Sequence, residues 1–174
     1  PNSILLSSEK EFSGEKIIEK IGLPCFIKPN GAGSSYGVSK VTRNSNLLES
    51  IENAFLYDKK VIAESFINGT ELSCGVYCNG NEVRALPITE IISENDFFDY
   101  EAKYEGSSQE ITPARISKDI AVEIQETTVE IYKNMQLSGI CRVDFIIQDT
   151  KPYIIEINTI PGLSEESIIP KQLK

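Results

Sequence analysis

Residues able to do chemistry concentrate in two stretches. The first is CRVDFIIQDTKPYIIEINTIPG, from Cys141 to Gly162. Its arms, Cys141–Ile147 and Tyr153–Asn158, alternate as strands do, and residues 148–152 read as the turn of a β-hairpin. With Asp144 opposite Glu156, the side chains of Arg142, Asp144, Glu156 and Asn158 share one face. Val143, Phe145, Ile147, Tyr153, Ile155 and Ile157 share the other. Two carboxylates about 5 Å apart across a strand pair repel each other. A divalent cation relieves that repulsion, and Mg²⁺ commonly takes one or two carboxylates plus phosphate oxygens. A solvated hairpin face with an Arg–Glu pair is the alternative, and this stretch alone does not decide. The second stretch is KPNGAGSSYGVSKV, from Lys28 to Val41. Gly31, Gly33 and Gly37 surround Ser34 and Ser35, so backbone N–H groups and two hydroxyls could cradle an anion. No Gly-Lys-Ser/Thr follows, and the glycine spacing is not that of a dinucleotide fingerprint. A flexible hairpin tip explains the glycines equally well, but Lys28 beside them favours phosphate.

These residues need a scaffold, and composition bounds it. The chain has 174 residues, 40% hydrophobic and 25% charged, which suits one domain or two small lobes. A net charge of −9 argues against nucleic acid as the main partner. No apolar run reaches the roughly 18 residues of a membrane span. There is no histidine, which removes Cys/His zinc sites and Ser–His or Cys–His nucleophiles. Cys25, Cys74, Cys78 and Cys141 lie in apolar strand-like runs and read as buried free thiols of a reducing compartment. A chain that starts at Pro1 without Met is expected to be a fragment or a processed form.

Taken in order, Ser3–Leu6 reads as a strand. Ser8 to Glu11 has capping-box spacing ahead of a helix striped by Ile17, Ile18 and Ile21 and ended by Gly22. Cys25–Lys28 and Val38–Val41 are strands. Asn44 or Ser45 caps a helix to about Tyr57, and Lys60–Phe66 is a strand. Glu71–Cys78 and Glu82–Ile92 form a hairpin about Asn79-Gly80. Residues 93–115 form a long aromatic-rich loop, too long for a passive connector. Ser117 caps a helix to about Gln136, and a short helix covers Ile168–Leu173.

Together these motifs resemble the ATP-grasp fold and, within it, the D-alanine–D-alanine ligase family. The residues that carry the resemblance are GLPCFIKPNGAGSSYGVSKV, VIAESFINGTELS, DYEAKY, GICRVDFII and IIEINTIPGLSEESIIP, in family order over most of the chain. The resemblance implies an α+β fold with largely antiparallel sheets in two lobes gripping ATP, about 1–66 and about 67–174. It also implies that the family's N-terminal substrate lobe is absent from this chain, which would leave it incomplete for turnover. The implied reaction joins two D-alanines through a D-alanyl phosphate for peptidoglycan precursors in the bacterial cytoplasm. Its needs are ATP and two Mg²⁺ (or Mn²⁺), with no nucleic acid or membrane partner and a homodimer as the candidate full-length assembly. By the same likeness Asp144, Glu156 and Asn158 hold the metals, with Glu156 bridging. Lys28 and Lys103 contact phosphates under a loop of Gly33, Ser34, Ser35 and Gly37. Glu64, Ser65, Phe66 and Ile67 line the adenine pocket, and Glu71 meets the ribose. Arg142 and the N–H of Gly162 form an oxyanion site, and Ser167 with the N–H of Ile168 holds the second substrate's carboxylate. Ser34 and Tyr104 pair across the closed site. The rivals are another ATP-grasp carboxylate–amine ligase, a D-alanine–D-lactate ligase and a nucleotide-binding module without chemistry. A retaining glycosidase also fits the paired carboxylates, but leaves Lys28, Lys103 and the glycine loop unexplained.

Overall fold

The computed structural model describes residues 1–32, 35–93 and 108–174, which divide into two compact units. Of the described residues, the first holds 1–32 and 35–67 and the second holds 68–93 and 108–174. In the first unit β1 (Ser3–Ser7), β2 (Cys25–Pro29), β3 (Ser39–Val41) and β4 (Lys60–Ser65) form an antiparallel sheet ordered β1-β4-β2-β3. The helices α1 (Gly14–Ile21) and α2 (Leu47–Phe55) supply its core partners. Ile17 and Ile21 of α1 and Leu47, Ile51 and Ala54 of α2 bury against Cys25, Ile27, Val61 and Ala63. Alternation along β2 and β4 leaves Phe26, Lys28, Ile62 and Glu64 on the opposite face. Helix α1 starts later than its sequence suggests. Ser13 is the cap, accepting from the Lys16 N–H, whereas Ser8 follows β1 in a turn, with the Lys10 N–H bonded to the Ser7 carbonyl.

In the second unit β5 (Thr70–Asn79), β6 (Glu82–Ser93), β7 (Ser108–Ile111), β8 (Ile140–Gln148) and β9 (Lys151–Asn158) form an antiparallel sheet ordered β7-β6-β5-β8-β9. Helix α3 (Lys118–Asn134), capped by the Ser117 hydroxyl, covers one face. Ile124 packs there with Leu72, Cys74, Ile88, Val143, Phe145 and Ile147. The short helix α4 (Ile168–Gln172) packs on β5 and β6. The β5–β6 turn is Gly80-Asn81, one residue later than expected, with Gly80 at φ 65° and Asn79 paired to Glu82. The expected long loop is also shorter, because residues 108–111 pair with β6 as an edge strand. The segment 94–107 lies outside the described residues.

Just beyond β7, Arg115 donates through Nε and Nη2 to both carboxylate oxygens of Glu90 at 2.9 and 2.7 Å. This bond from Arg115 holds the buried Glu90 carboxyl below its usual range.

The cysteines are free, with Cys25, Cys74 and Cys141 buried but Cys78 exposed near the end of β5, which corrects the expectation of four buried thiols. Burial pushes the Cys74 thiol up to about 11. Native protein at pH 8 is therefore expected to take one alkyl label quickly, at Cys78, and the other three only on unfolding. Peptide mapping after brief alkylation checks this. Fast labelling of Cys74 would contradict the packing.

Candidate functional site

The site is built from β8 and β9, whose pairing places Asp144 opposite Glu156 and Arg142 opposite Asn158. The hairpin turn is shorter than the sequence suggests. It is Asp149-Thr150, with Asp149 at φ 59°, while Lys151 and Pro152 belong to β9. Register skips Ile155: Asp144 pairs with Glu156, but Phe145 pairs with Ile154. This bulge reverses the alternation below it. Tyr153 consequently lies opposite Ile146, on the face assigned by sequence to polar residues, rather than with Phe145 and Ile147.

Asp144 is the hub of the polar face. Arg142 donates from Nε to Oδ1 at 2.9 Å and from Nη2 to Oδ2 at 2.8 Å. The Ser73 hydroxyl donates to Oδ1 at 2.7 Å, and the Asn158 amide donates to Oδ2 at 2.9 Å and to Glu156 Oε1 at 3.2 Å. Burial opposes the Arg142 charge, but Asp144, Glu156 and Glu110 outweigh it and raise its pKa. The donor set suits a hard cation that is also held by phosphate: two carboxylates and an amide whose half-turn would present Oδ1. Among the described residues no cluster of three or more His, Cys, Asp or Glu is present.

The open face of the first unit's sheet carries the other half of the expected set. Lys28 Nζ lies 2.9 Å from Glu64 Oε2. Phe26 and Phe66 are tilted at a 6.0 Å centroid separation, with Lys40 Nζ 4.5 Å from the Phe66 ring centre. Aromatic rings, cations and a carboxylate on one face are groups that a purine nucleotide can use. Ser65 is tied to the chain start, since its hydroxyl accepts from the Asn2 N–H at 3.0 Å. In the glycine-rich loop Ser35 and Gly37 have φ of 59° and 72°. A Cβ at Gly37 would come within 2.6 Å of the Tyr57 ring, so the close approach and the positive φ both require glycine there.

The remaining expected residues are distributed as follows. Glu71 lies on β5 opposite Ile146. Gly162 and Ser167 come together: a Cβ on Gly162 would sit 2.7 Å from Ser167 Oγ, and that hydroxyl bonds with Ser164 Oγ at 2.8 Å. Ile168 opens α4 and is buried. Gly33, Ser34, Lys103 and Tyr104 lie outside the described residues, as does the expected Ser34–Tyr104 pairing.

Two contributors escaped the sequence reading. Ser73 is wholly buried and binds Asp144. Asp58 accepts from the N–H groups of Gly31 at 2.7 Å and Lys60 at 3.0 Å, which pins the start of the glycine-rich loop. The bond from Lys60 leads the causes that lower its pKa. Only Ser73 had a sequence signal, its two-residue offset from Glu71.

The two-sheet architecture and its polar hairpin define an ATP-grasp α+β fold. The chain belongs to the family described as D-ala D-ala ligase C-terminus, whose model matches residues 4–174. It is 52% identical over 172 residues to a D-alanine–D-alanine ligase of Flavobacterium johnsoniae, covering 99% of this chain and 53% of the relative. A D-alanine–D-alanine ligase of Christiangramia forsetii is 47% identical, covering 96% and 51%. Among solved structures, the VanG D-Ala:D-Ser ligase from Enterococcus faecalis superposes with a TM-score of 0.84 at 38% identity, covering 99% of this chain and 51% of that one. The D-alanine–D-alanine ligase from Bacillus anthracis complexed with ATP gives 0.81 at 28%, covering 99% and 53%. The chain thus spans about half the length of the curated relatives it matches. No helix among the described residues is long and apolar enough to cross a membrane.

Proposed function

We propose that this chain is the ATP-handling and bond-forming part of an ADP-forming ligase that joins two D-alanines for bacterial cell-wall precursors in the cytoplasm. The observation that carries the reading is the Arg142, Asp144, Glu156 and Asn158 cluster on paired strands, in a chain about half identical to D-alanine–D-alanine ligases. Mg²⁺ held by Asp144, Glu156 and Asn158 would offset the charge of the ATP phosphates. Glu64 to Ile67 and Glu71 orient the nucleoside, and Lys28 binds its phosphates. A carboxylate oxygen of the first D-alanine attacks the γ-phosphorus, and ADP departs. The amine of the second D-alanine then attacks the acyl phosphate carbon. Arg142 and the Gly162 N–H stabilise the oxyanion of that tetrahedral intermediate. Phosphate leaves with the oxygen that made the first attack. Ser167 and the Ile168 N–H hold the second substrate's carboxylate.

ADP release by the complete protein, followed with D-alanine, D-serine or D-lactate as acceptor, tests the reading. D-alanine alone should suffice for ADP release and yield the dipeptide as main product. ADP release indifferent to D-alanine would refute the assignment, and preference for D-serine or D-lactate would correct its acceptor.

A further inference from the structure

Strand β6 carries one residue too many for its pairing with β5. Cys74 pairs with Ile88 and Val76 with Ala85, so Leu86 and Pro87 together face Gly75. Pro87 has no N–H to offer, and the Leu86 carbonyl accepts from Gln125 Nε2 of α3 at 3.0 Å. The ladder is interrupted there, and a side chain from α4 enters it. Gln172, only 4% exposed, accepts the Gly75 N–H at Oε1 at 3.0 Å. It donates from Nε2 to the Ser73 carbonyl at 2.8 Å and to Thr89 Oγ1 at 3.0 Å. The amide acts as a substitute peptide group across the bulge. Residue 75 must be glycine for this fit, because a Cβ there would lie 2.6 Å from both Gln172 Oε1 and Ile169 Cδ1.

We propose that Gln172 is a positioning residue that sets the acceptor end of the site against the carboxylate hub. The inference rests on the ligase reading above. Ser73 is the shared element, since its carbonyl takes the Gln172 amide while its hydroxyl binds Asp144. Two hydrogen-bonded steps therefore link Asp144 to α4. That helix has five residues, too few to hold its own geometry in water. Gln172 lies one turn beyond Ile168, so its three bonds fix how far Ser167 and the Ile168 N–H stand from Asp144. Lys171 of α4 also pairs, with Glu110 at 3.1 Å and with Glu166 at 3.5 Å, but it is nearer the surface and can slide with its long side chain. An acceptor amine must meet the acyl carbon in a narrow geometry, so a small shift of α4 should be felt at the acceptor and little elsewhere.

The test uses the complete protein with Gln172→Met, which keeps the shape and removes all three bonds, and Gln172→Glu, which keeps only the acceptor. The KM for the acceptor D-alanine should rise about tenfold or more in Gln172→Met. Gln172→Glu should fall between it and the wild type. The donor KM and the affinity for ATP should stay within about twofold, and hydrogen exchange at the Gly75 amide should accelerate in Gln172→Met. An unchanged acceptor KM overturns the proposal. So does a parallel rise of both KM values in step with lost thermal stability, which would mark a merely structural residue. If Gln172→Met does not fold, Gln172→Glu is judged by the same split. If neither folds, positioning apart from folding is refuted. A wild type without D-alanine-dependent ADP release removes the ligase reading and this inference with it, whereas an active wild type with unaltered variants removes this inference alone.

Discussion

Replacing Arg142 with methionine is expected to lower kcat of the complete protein by roughly 10²–10³-fold, the usual loss when an oxyanion donor is removed. Methionine keeps most of the aliphatic volume, so packing is not the main variable. The guanidinium is lost from both oxygens of Asp144, where it stands at 2.9 and 2.8 Å with about a fifth of each side chain exposed. Asp144 then faces Glu156 with Ser73 and Asn158 as its remaining side-chain donors among the described residues, and two like charges across a strand pair repel. Ligand-free stability should fall as well, by about 1–3 kcal/mol for a charged hydrogen-bond partner removed from a part-buried site. Arg142→Lys should recover part of that stability but little of the rate, because an ammonium cannot reproduce the two-pronged geometry. Steady-state kinetics and denaturant melts of the three proteins separate these effects. A fully active Arg142→Met would remove Arg142 from the chemistry.

The second large effect concerns the carboxylate pair. ATP should stabilise the wild-type protein strongly only when Mg²⁺ is present, by about 2.7 kcal/mol at a hundredfold excess over Kd. Glu156→Gln and Asp144→Asn should each remove most of that gain. Each should also cut turnover by orders of magnitude, since phosphoryl transfer depends on charge neutralisation and alignment. Glu156→Gln should not by itself destabilise the ligand-free chain as the Arg142 change does, because it relieves repulsion, whereas Asp144→Asn also leaves the Arg142 guanidinium without its paired carboxylate and should cost stability as the Arg142 change does. Melting curves with ATP, with and without Mg²⁺, provide the comparison. Equal shifts in both would contradict the metal assignment.

The hairpin was legible because its information is local. Alternation across Arg142, Asp144, Glu156 and Asn158 depends only on strand parity and a turn near Asp149. The helix caps at Gly22 and Ser117 were legible for the same reason. Start points were less so. Ser13, not Ser8, opens α1, since of the serines that precede the apolar stripe only the one directly before it can reach the first-turn N–H groups. The bulge at Ile155 has no sequence mark, and it misplaced Tyr153. The bulge on β6 has one, a proline inside a strand, but Pro87 says nothing of the glutamine that enters beside it. Ser73 stayed hidden because β5 neighbours β8 across a long chain separation, a pairing that no local pattern encodes. The edge strand β7 was masked by its short length within a polar segment. Lys103 and Tyr104, with Gly33 and Ser34, rest on family likeness.

The proposed reaction phosphorylates one substrate carboxylate, which then gives up an oxygen. It is tested most directly by running the complete protein with ATP, Mg²⁺ and D-alanine labelled with ¹⁸O in its carboxylate. In the proposed sequence of steps the attacking carboxylate oxygen becomes the bridge to phosphorus and departs with phosphate, so the inorganic phosphate released should carry one ¹⁸O. Unlabelled phosphate formed alongside dipeptide would contradict an acyl phosphate and require a different activation of the acid.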